Sequence, residues 1–552
     1  MTDRPGDDEL LFLALGGAGE IGMNLNLYGH AGKWLMIDLG ITFGDERTPG
    51  IEVIMPDPGF IAERLQDLSG LVLTHAHEDH LGAVPYLWPR LRCPVYATPF
   101  TAAVLHRKLK ESGLAGEVPI ETVPMSGRFS VGPFDLELVT LTHSIPEPNA
   151  IVVRTRAGTV LHTGDWKFDP DPLVGPASDQ DALRRIGEEG VLAMVCDSTN
   201  ALVEGQSGSE ADVRDNLVEL IGRYDTRVAV ACFASNVARV ESIAKAAAAH
   251  DRQVALVGRS LWRIVEAARE TGYLTDLPEF VTEHDVGYLP RDKVVMICTG
   301  SQGERRSALA RIARRDHPNV SLEPGDVAVF SSRKIPGNER EIAELQNDLV
   351  RLGVHVVTDD DHFVHVSGHP GRDELTEMYQ LVRPRIAVPV HGESRHLAAH
   401  AKLAQACQVA QAVIPENGAV IRLAPGPAEI VAEVPAGRLG LDGTNLVGLD
   451  AGRLKARHRM VFNGAAVATL VLDRQGRLAA DPQVTVQGVY EAEDQDAGRS
   501  VLAAVRDAVD GLPPALRRDD GTVREAARLA IRRALHASHG KKPVTDVHLV
   551  RI

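Results

Sequence analysis

Thr74-His75-Ala76-His77-Glu78-Asp79-His80 sets three histidines and two carboxylates directly after the apolar run Leu71-Val72-Leu73. A divalent metal such as zinc takes imidazole nitrogens and carboxylate oxygens at about 2.0–2.2 Å. In an extended stretch residues two apart face the same way, so His75 and His77 can grip one ion together. Asp79 and His80 follow where the chain turns into a helix, and they can reach a second ion nearby. A lone histidine here would read as a capping or surface residue. Three histidines with Asp79 at a strand-to-helix turn read as a metal centre.

That run supplies too few ligands for two ions, so further donors are expected at other strand ends. Val139-Thr140-Leu141-Thr142-His143 is an apolar run ending in a histidine. Thr159-Val160-Leu161-His162-Thr163-Gly164-Asp165 ends in an aspartate, and Ile386-Ala387-Val388-Pro389-Val390-His391 in a histidine. An aspartate can bridge two cations with its two oxygens, and Asp165 is the residue placed to do so. Each run alone could be a satisfied polar strand end. Together they complete two ligand sets.

Gly17-Ala18-Gly19-Glu20-Ile21-Gly22 matches GxGxxG, and Asp38 lies about 20 residues on, as a ribose-binding acid would. No long helix pattern follows Gly22, however. Met23 to Tyr28 alternates like a strand, so the glycines read as tight turns and the dinucleotide reading is rejected.

Outward from these runs, the chain of 552 residues is too long for one core and implies about three units. It is 44% apolar and 24% charged, ordinary for a globular protein. No apolar run reaches the ~18 residues of a membrane span, and residues 1–8 lack a signal-peptide pattern. Five cysteines are scattered with no CxxC pair, which argues against a disulfide framework and a cysteine-ligated zinc and suits a reducing cytosol. The net charge of −16 disfavours loose electrostatic binding of nucleic acid. It is uneven: residues 451–552 carry 17 Lys+Arg against 12 Asp+Glu, leaving 42 against 63 elsewhere.

Strands and helices alternate to about residue 205, an α/β layered pattern. A second α/β rhythm runs from about 210, with helices at 210–224 and 237–250 and strands at 227–233, 253–257, 294–299 and 326–331. Residues 424–437 read as a linker or edge segment. A third unit has strands at 466–472 and 546–552 and helices at 499–510 and 523–538.

HxHxDH, then a histidine, an aspartate after a strand and a late histidine, resembles the ligand series of the metallo-β-lactamase superfamily. Asp197-Ser198-Thr199, His365-Val366-Ser367-Gly368-His369 and His391-Gly392-Glu393 resemble motifs A, B and C of its β-CASP nucleases. Closer still, the chain resembles the ribonuclease J family. Gly16 to Gly22, Asn149 to Val153, Phe233-Ala234-Ser235-Asn236, Gly258-Arg259-Ser260, Cys298 to Glu304 and Ile335-Pro336-Gly337-Asn338-Glu339 carry that likeness. Ala76 stands where the family pattern has glycine, and Arg333-Lys334 add charge where less is expected.

The resemblance implies an α/β fold: a metallo-β-lactamase αββα sandwich with an inserted β-CASP α/β domain and a small C-terminal α/β domain. The boundaries expected are core 1–208 and 371–436, β-CASP 209–370, linker 437–455 and C-terminal domain 456–552. It implies His75, His77 and His143 on one metal and Asp79, His80 and His391 on the other, with Asp165 bridging. Asp38 would support the ligands, and Asp197 would orient a neighbour. Ser367, Gly368 and His369, with help from His365, would bind substrate phosphate. His369 and Asp79 are the expected catalytic residues, His369 as general acid or oxyanion donor. Two divalent ions per subunit are expected, zinc foremost, with manganese or magnesium as alternatives.

The implied activity is hydrolysis of RNA to 5′-monophosphate products, 5′-to-3′ exonuclease with endonuclease action, in RNA processing and decay. The implied partners are single-stranded RNA bearing a 5′-monophosphate and further copies of the chain, as a homodimer or homotetramer through the C-terminal domain. No membrane is involved, and the location is cytoplasmic. Three alternatives stand beside it: a β-CASP nuclease acting on DNA, a small-molecule thioesterase or lactamase-type hydrolase, and a silent RNA-binding scaffold.

Overall fold

The computed structural model describes residues 4–335, 337–450, 452–491 and 495–552. Pro336 of the loop quoted above and Ala451 of the expected linker lie outside them. The chain forms two compact units, Met1–Thr42 with Met55–Gly437, and Phe43–Ile54 with Arg438–Ile552.

The first unit is built on two stacked sheets. Leu10–Gly16, Leu25–His30, Lys33–Ile37 and Leu68–Val72 are successive neighbours in an eight-stranded sheet. Every residue of Leu10–Gly16 is buried, as a strand covered on both faces requires. Phe12, Tyr28, Ile37 and Val72 share one core with Leu136, Ile151, Val160, Val195 and Val388 of a seven-stranded sheet. Alternate residues of that second sheet (Val152, Leu161, Met194, Ala387) form a second core with Leu183, Ile186, Leu375 and Met378. Those four lie on the helices Gln180–Glu189 and Arg372–Val382. The period of two along each strand thus sends one row to each core. This is the αββα sandwich expected from the sequence.

Strand direction positions the chemistry. Gly158–His162, Ala193–Asp197 and Ile386–Val390 are parallel neighbours. Phe134–Thr140 has the same direction, because it connects to them through two antiparallel pairings across Asn149–Thr155. The four C-terminal ends therefore lie along one sheet edge. Those ends carry His143, Asp165, Asp197 and His391.

The inserted α/β domain has a six-stranded, all-parallel sheet. The expected helix at 237–250 and strand at 253–257 are Val237–Ala248 and Gln253–Val257. Arg239, on that helix, is fully buried. Its guanidinium meets Glu210 at 3.1 Å and donates to Ser331 O at 2.8 Å and Val364 O at 2.9 Å. Val364 precedes the turn 365–369, so this one cation ties that turn to the insert's sheet. Removing one partner of a buried ion pair leaves an unpaired charge. Glu210→Ala is expected to cost about 3–5 kcal/mol in urea unfolding of the full chain. A loss below about 1 kcal/mol, the size of an exposed pair, would reject this view of Arg239.

In the second unit, the helices Gln495–Asp510 and Asp520–His539 pack Val505, Val509, Ala527 and Ile531 onto Ala468, Leu470 and Leu472. The sheet there orders Gln483–Gln487, Ala465–Leu472 and Val544–Arg551. Residues 437–455, expected as a linker, contain a hairpin instead. Arg438–Asp442 pairs with Asn445–Gly448 around a two-residue Gly443-Thr444 loop, with Gly443 at φ 62°. Burial of Leu439 and Val447 holds it in place. Glycine at the first position of a two-residue loop between apolar runs is a hairpin signal that the sequence did carry. The strand Glu429–Glu433 is the outermost of the eight-stranded sheet, so 424–437 contains an edge strand.

Candidate metal centre

Seven of the sequence-selected residues converge. The donor atoms of His75, His77, His143 and Asp165 lie within 4.8 Å of one another, as do those of Asp79, His80, Asp165 and His391. Asp165 belongs to both groups. It also belongs to a third, with Asp197, His369 and His391. In the first group His77 Nδ1 lies 3.1 Å from His75 Nε2 and 3.1 Å from His143 Nε2. Ligands at about 2.05 Å around a tetrahedral ion are about 3.3 Å apart, so this spacing fits a shared cation. In the second, Asp165 Oδ2 is 3.2 Å from His80 Nε2, and Asp79 Oδ2 is 3.1 Å from His391 Nε2.

The rings are held from behind. His143 Nδ1 donates to Gly368 O at 2.5 Å and His80 Nδ1 to Asp38 Oδ2 at 2.7 Å. Thr74 Oγ1 donates to Asp38 Oδ2 at 2.8 Å, so its oxygen can accept from His75 Nδ1 at 3.0 Å. In the same way Thr199 Oγ1 donates to Asp197 and accepts from His391 Nδ1 at 3.0 Å. Each Nδ1 thus donates backwards and each Nε2 faces the centre, the orientation metal-binding histidines require. His77 uses Nδ1 instead. Asp38 and His391 both have left-handed backbone, φ 63° and 52°, a conformation that is held at functional sites by its surroundings.

Electrostatics separates the two groups. Burial, and then the neighbouring imidazoles, hold His75 and His143 well below the usual histidine range; burial also pushes His77 down to about 4. These three are neutral donors at neutral pH. Burial also works against charge on His391, but Asp165, Asp197 and Asp79 outweigh it and push that ring up to about 10. His80 is raised against its burial by Asp165, Asp79 and Asp38. Among the described residues, the ion-pair partners of Asp38, Asp79, Asp165 and Asp197 are all histidines. Asp165 Oδ1 is buried and accepts no hydrogen bond. Three neutral imidazoles beside clustered carboxylates that have no Lys or Arg partner, and that hold the rings of His80 and His391 cationic, have the chemistry of a cation site.

Beside this centre lies the turn Ser367-Gly368-His369. Ser367 Oγ accepts from Asn200 Nδ2 at 2.8 Å and from His369 N at 3.1 Å, which leaves its proton for an outside acceptor. A Cβ on Gly368 would lie 2.6 Å from His143 Cε1, so the glycine is needed for the imidazole to approach. His369 Nδ1 meets Asp197 Oδ2 at 2.7 Å, and its side chain is 22% exposed. Burial opposes charge on Asp197, but His369 and then His391 keep its carboxylate well below the usual range. His365 stands apart: it joins none of the ligand groups, and its Nδ1 is buried without a partner. Burial and then Arg239, Arg333 and Lys167 keep its ring neutral. Glu78 also points elsewhere, to Lys108 Nζ at 2.7 Å.

Four residues escaped the sequence reading: Thr74, Thr199, Asn200 and Gly40. A Cβ on Gly40 would fall 1.6 Å from Asp79 O. Thr74 and Thr199 adjoin selected residues, but nothing local marks them as acceptors for the Nδ1 of His75 and His391.

Four family profiles match in series. They are "Metallo-beta-lactamase superfamily" over 22–209, "Ribonuclease J, beta-CASP domain" over 225–349, "Zn-dependent metallo-hydrolase RNA specificity domain" over 353–415 and "Ribonuclease J C-terminal domain" over 452–552. The chain is 46% identical to Ribonuclease J of Sinorhizobium meliloti, over 100% of this chain and 99% of that protein. It is 38% identical to Ribonuclease J of Mycobacterium tuberculosis, over 96% and 95%. With Ribonuclease J of Thermus thermophilus the identity is 34%, over 97% and 94%. A crystal structure of a protein of unknown function from Enterococcus faecalis V583 superposes with a TM-score of 0.53 at 14% identity. It covers 75% of this chain and 100% of that one, a likeness of fold alone.

Proposed function

The chain belongs to the ribonuclease J family, and on that premise we propose that it is a metal-dependent ribonuclease releasing 5′-monophosphate products. One observation carries the reading: two ligand groups share Asp165 beside a turn whose Ser367 hydroxyl is free to donate. His75, His77 and His143 would hold one divalent ion, and Asp79, His80 and His391 the other, with Asp165 between them. Such a pair supplies hydroxide near neutral pH and offsets charge on the attacking and leaving oxygens of an in-line displacement. The rest is done by side chains. Ser367 donates to a phosphate oxygen. His369, its Nδ1 held by Asp197, turns Nε2 toward the 3′ oxygen that must leave and gives it a proton.

The finer assignments belong to the same proposal. Zinc is the first choice of metal, with manganese or magnesium open to the same ligands. The activity is 5′-to-3′ exonuclease with endonuclease action on single-stranded RNA, and a 5′-monophosphate sits near Ser367, Gly368 and His369. The working division is core 1–208 and 371–436, insert 209–370 and C-terminal domain 456–552. The strand Val544–Arg551 ends its sheet with an open edge and exposed Val550, which supports pairing of C-terminal domains in a homodimer or homotetramer. Among the described residues, no helix is long and apolar enough to cross a membrane. A cytoplasmic setting agrees with five free cysteines, four of them buried.

One digestion tests the activity. End-labelled, 5′-monophosphorylated RNA should yield 5′-monophosphate products, and a matched DNA strand should resist. Intact RNA alongside thioester turnover would overturn the reading. Equal cutting of DNA would move the substrate to that polymer. Asp38→Asn tests the support behind the ligands. It keeps the shape but weakens the anion that receives His80 Nδ1 and Thr74 Oγ1. Metal affinity should fall about 10–100-fold, read by competition with a chromophoric chelator. Unchanged affinity would show that Asp38 serves the fold alone.

A further inference from the structure

The helix Gly452–Asn463 carries Arg453, Lys455, Arg457, His458 and Arg459 and no acidic residue. Leu454 is its one buried side chain. At its end Val461 is 78% exposed and Phe462 71% exposed. Lys541 Nζ lies 4.3 Å from the centre of the Phe462 ring and donates to Phe462 O at 2.7 Å. Lys542 N donates to Asn463 Oδ1 at 3.1 Å, which places that lysine beside the same helix end.

Only part of this charge is neutralised. Arg457 and Arg453 face Asp442 at 2.8 and 3.5 Å. Lys455, Arg459, Lys541 and Lys542 form no ion pair among the described residues. An exposed aromatic ring between unpaired cations, on a chain of net charge −16, is complementary to a polyanion with bases to stack. A second copy of the chain fits it poorly: a two-fold contact through this patch would bring the cations of both copies together.

We propose that the end of helix Gly452–Asn463, with Lys541 and Lys542, is a second surface for single-stranded RNA, additional to the metal centre. Lys455, Arg459, Lys541 and Lys542 take phosphates, and Phe462 stacks a base. The proposal rests on the ribonuclease reading. It adds that long RNA is gripped twice and short RNA once.

The test compares the full chain with the variant Phe462→Ala/Lys541→Glu/Lys542→Glu. A second variant, Lys455→Glu/Arg459→Glu, covers the case in which the first fails to fold. Arg474→Glu, an exposed charge elsewhere in the same unit, is the control. The substrates are 5′-monophosphorylated RNAs of about 5 and about 40 nucleotides, the shorter near the smallest single-strand site sizes. Both patch variants should raise KM and Kd for the long RNA about tenfold. The slope of log Kd against log salt should weaken by about 0.7 for each lost phosphate contact. Turnover of the short RNA should match the parent, and Arg474→Glu should behave as the parent does.

Unchanged affinity for long RNA in both variants would overturn the proposal. So would a change of mass in solution with RNA affinity intact, which would make the patch a protein interface. If the unaltered chain cuts neither RNA, the ribonuclease reading fails, while the binding curves still decide the patch.

Discussion

Asp165→Asn is expected to lower kcat/KM on RNA by on the order of 10³-fold or more in a chain that still folds. The substitution keeps the volume of a fully enclosed side chain and removes its charge. That charge is the point where the two ligand groups meet: Asp165 Oδ2 lies 3.2 Å from His80 Nε2 and 3.9 Å from both His75 Nε2 and His143 Nε2. An amide can neither bridge two cations nor repay burial of their charge. Lewis-acid stabilisation of the transition state is worth several kcal/mol, and each 1.36 kcal/mol is tenfold in rate. Metal content per subunit, measured beside activity, should fall as well. Parent-like activity, or full metal content with lost activity, would break the link between Asp165 and the ions.

The second large effect concerns Asp197 and His369. Asp197→Asn should lower kcat about 10²-fold with little change in KM, and His369→Ala about 10²–10⁴-fold. The aspartate holds His369 Nδ1 at 2.7 Å, so it sets which ring nitrogen is free to act. It also accepts from Thr199, which in turn receives His391 Nδ1. Because part of what Asp197 does runs through His369 and part through His391, the double variant should lose less than the two single losses combined. Strictly additive losses would mean that the two act separately. A rise in KM with kcat unchanged would move Asp197 from positioning the proton donor to binding substrate.

Arg239 and the proposed patch at Phe462 place function beyond the metal centre. Arg239 connects the insert's sheet to the segment that ends in His369. An insert that is destabilised there should therefore disturb the phosphate turn before it disturbs the ligands on the core. Comparing the Glu210→Ala chain at temperatures well below its unfolding would separate loss of fold from loss of that turn.

The residues that converge at the candidate metal centre were legible in the sequence because their signal is local. An apolar run that ends in His, Gly-Asp or HxHxDH marks a strand whose end presents donors. The rule holds for Leu68–Val72, Gly158–His162 and Ile386–Val390. Periodicity also located the insert's first two helices and four of its six strands, but not the helices Arg259–Glu270, Ala308–Ala313 and Glu339–Arg351 or the strands Val281–Thr282 and His355–Val357. Other features have no local signal. His391 meets Asp79 across 312 positions, and His143 meets Gly368 across 225. Such distances in sequence close only when strand register and sheet stacking set them. Tertiary structure alone therefore decided that Thr74 and Thr199 accept from His75 Nδ1 and His391 Nδ1, that Asn200 and His369 N occupy the oxygen of Ser367, and that His365 stands outside the ligand groups. It also decided that Phe43–Ile54 belongs with Arg438–Ile552, since burying apolar surface rewards whichever segments can share a core, however far apart they lie in the chain.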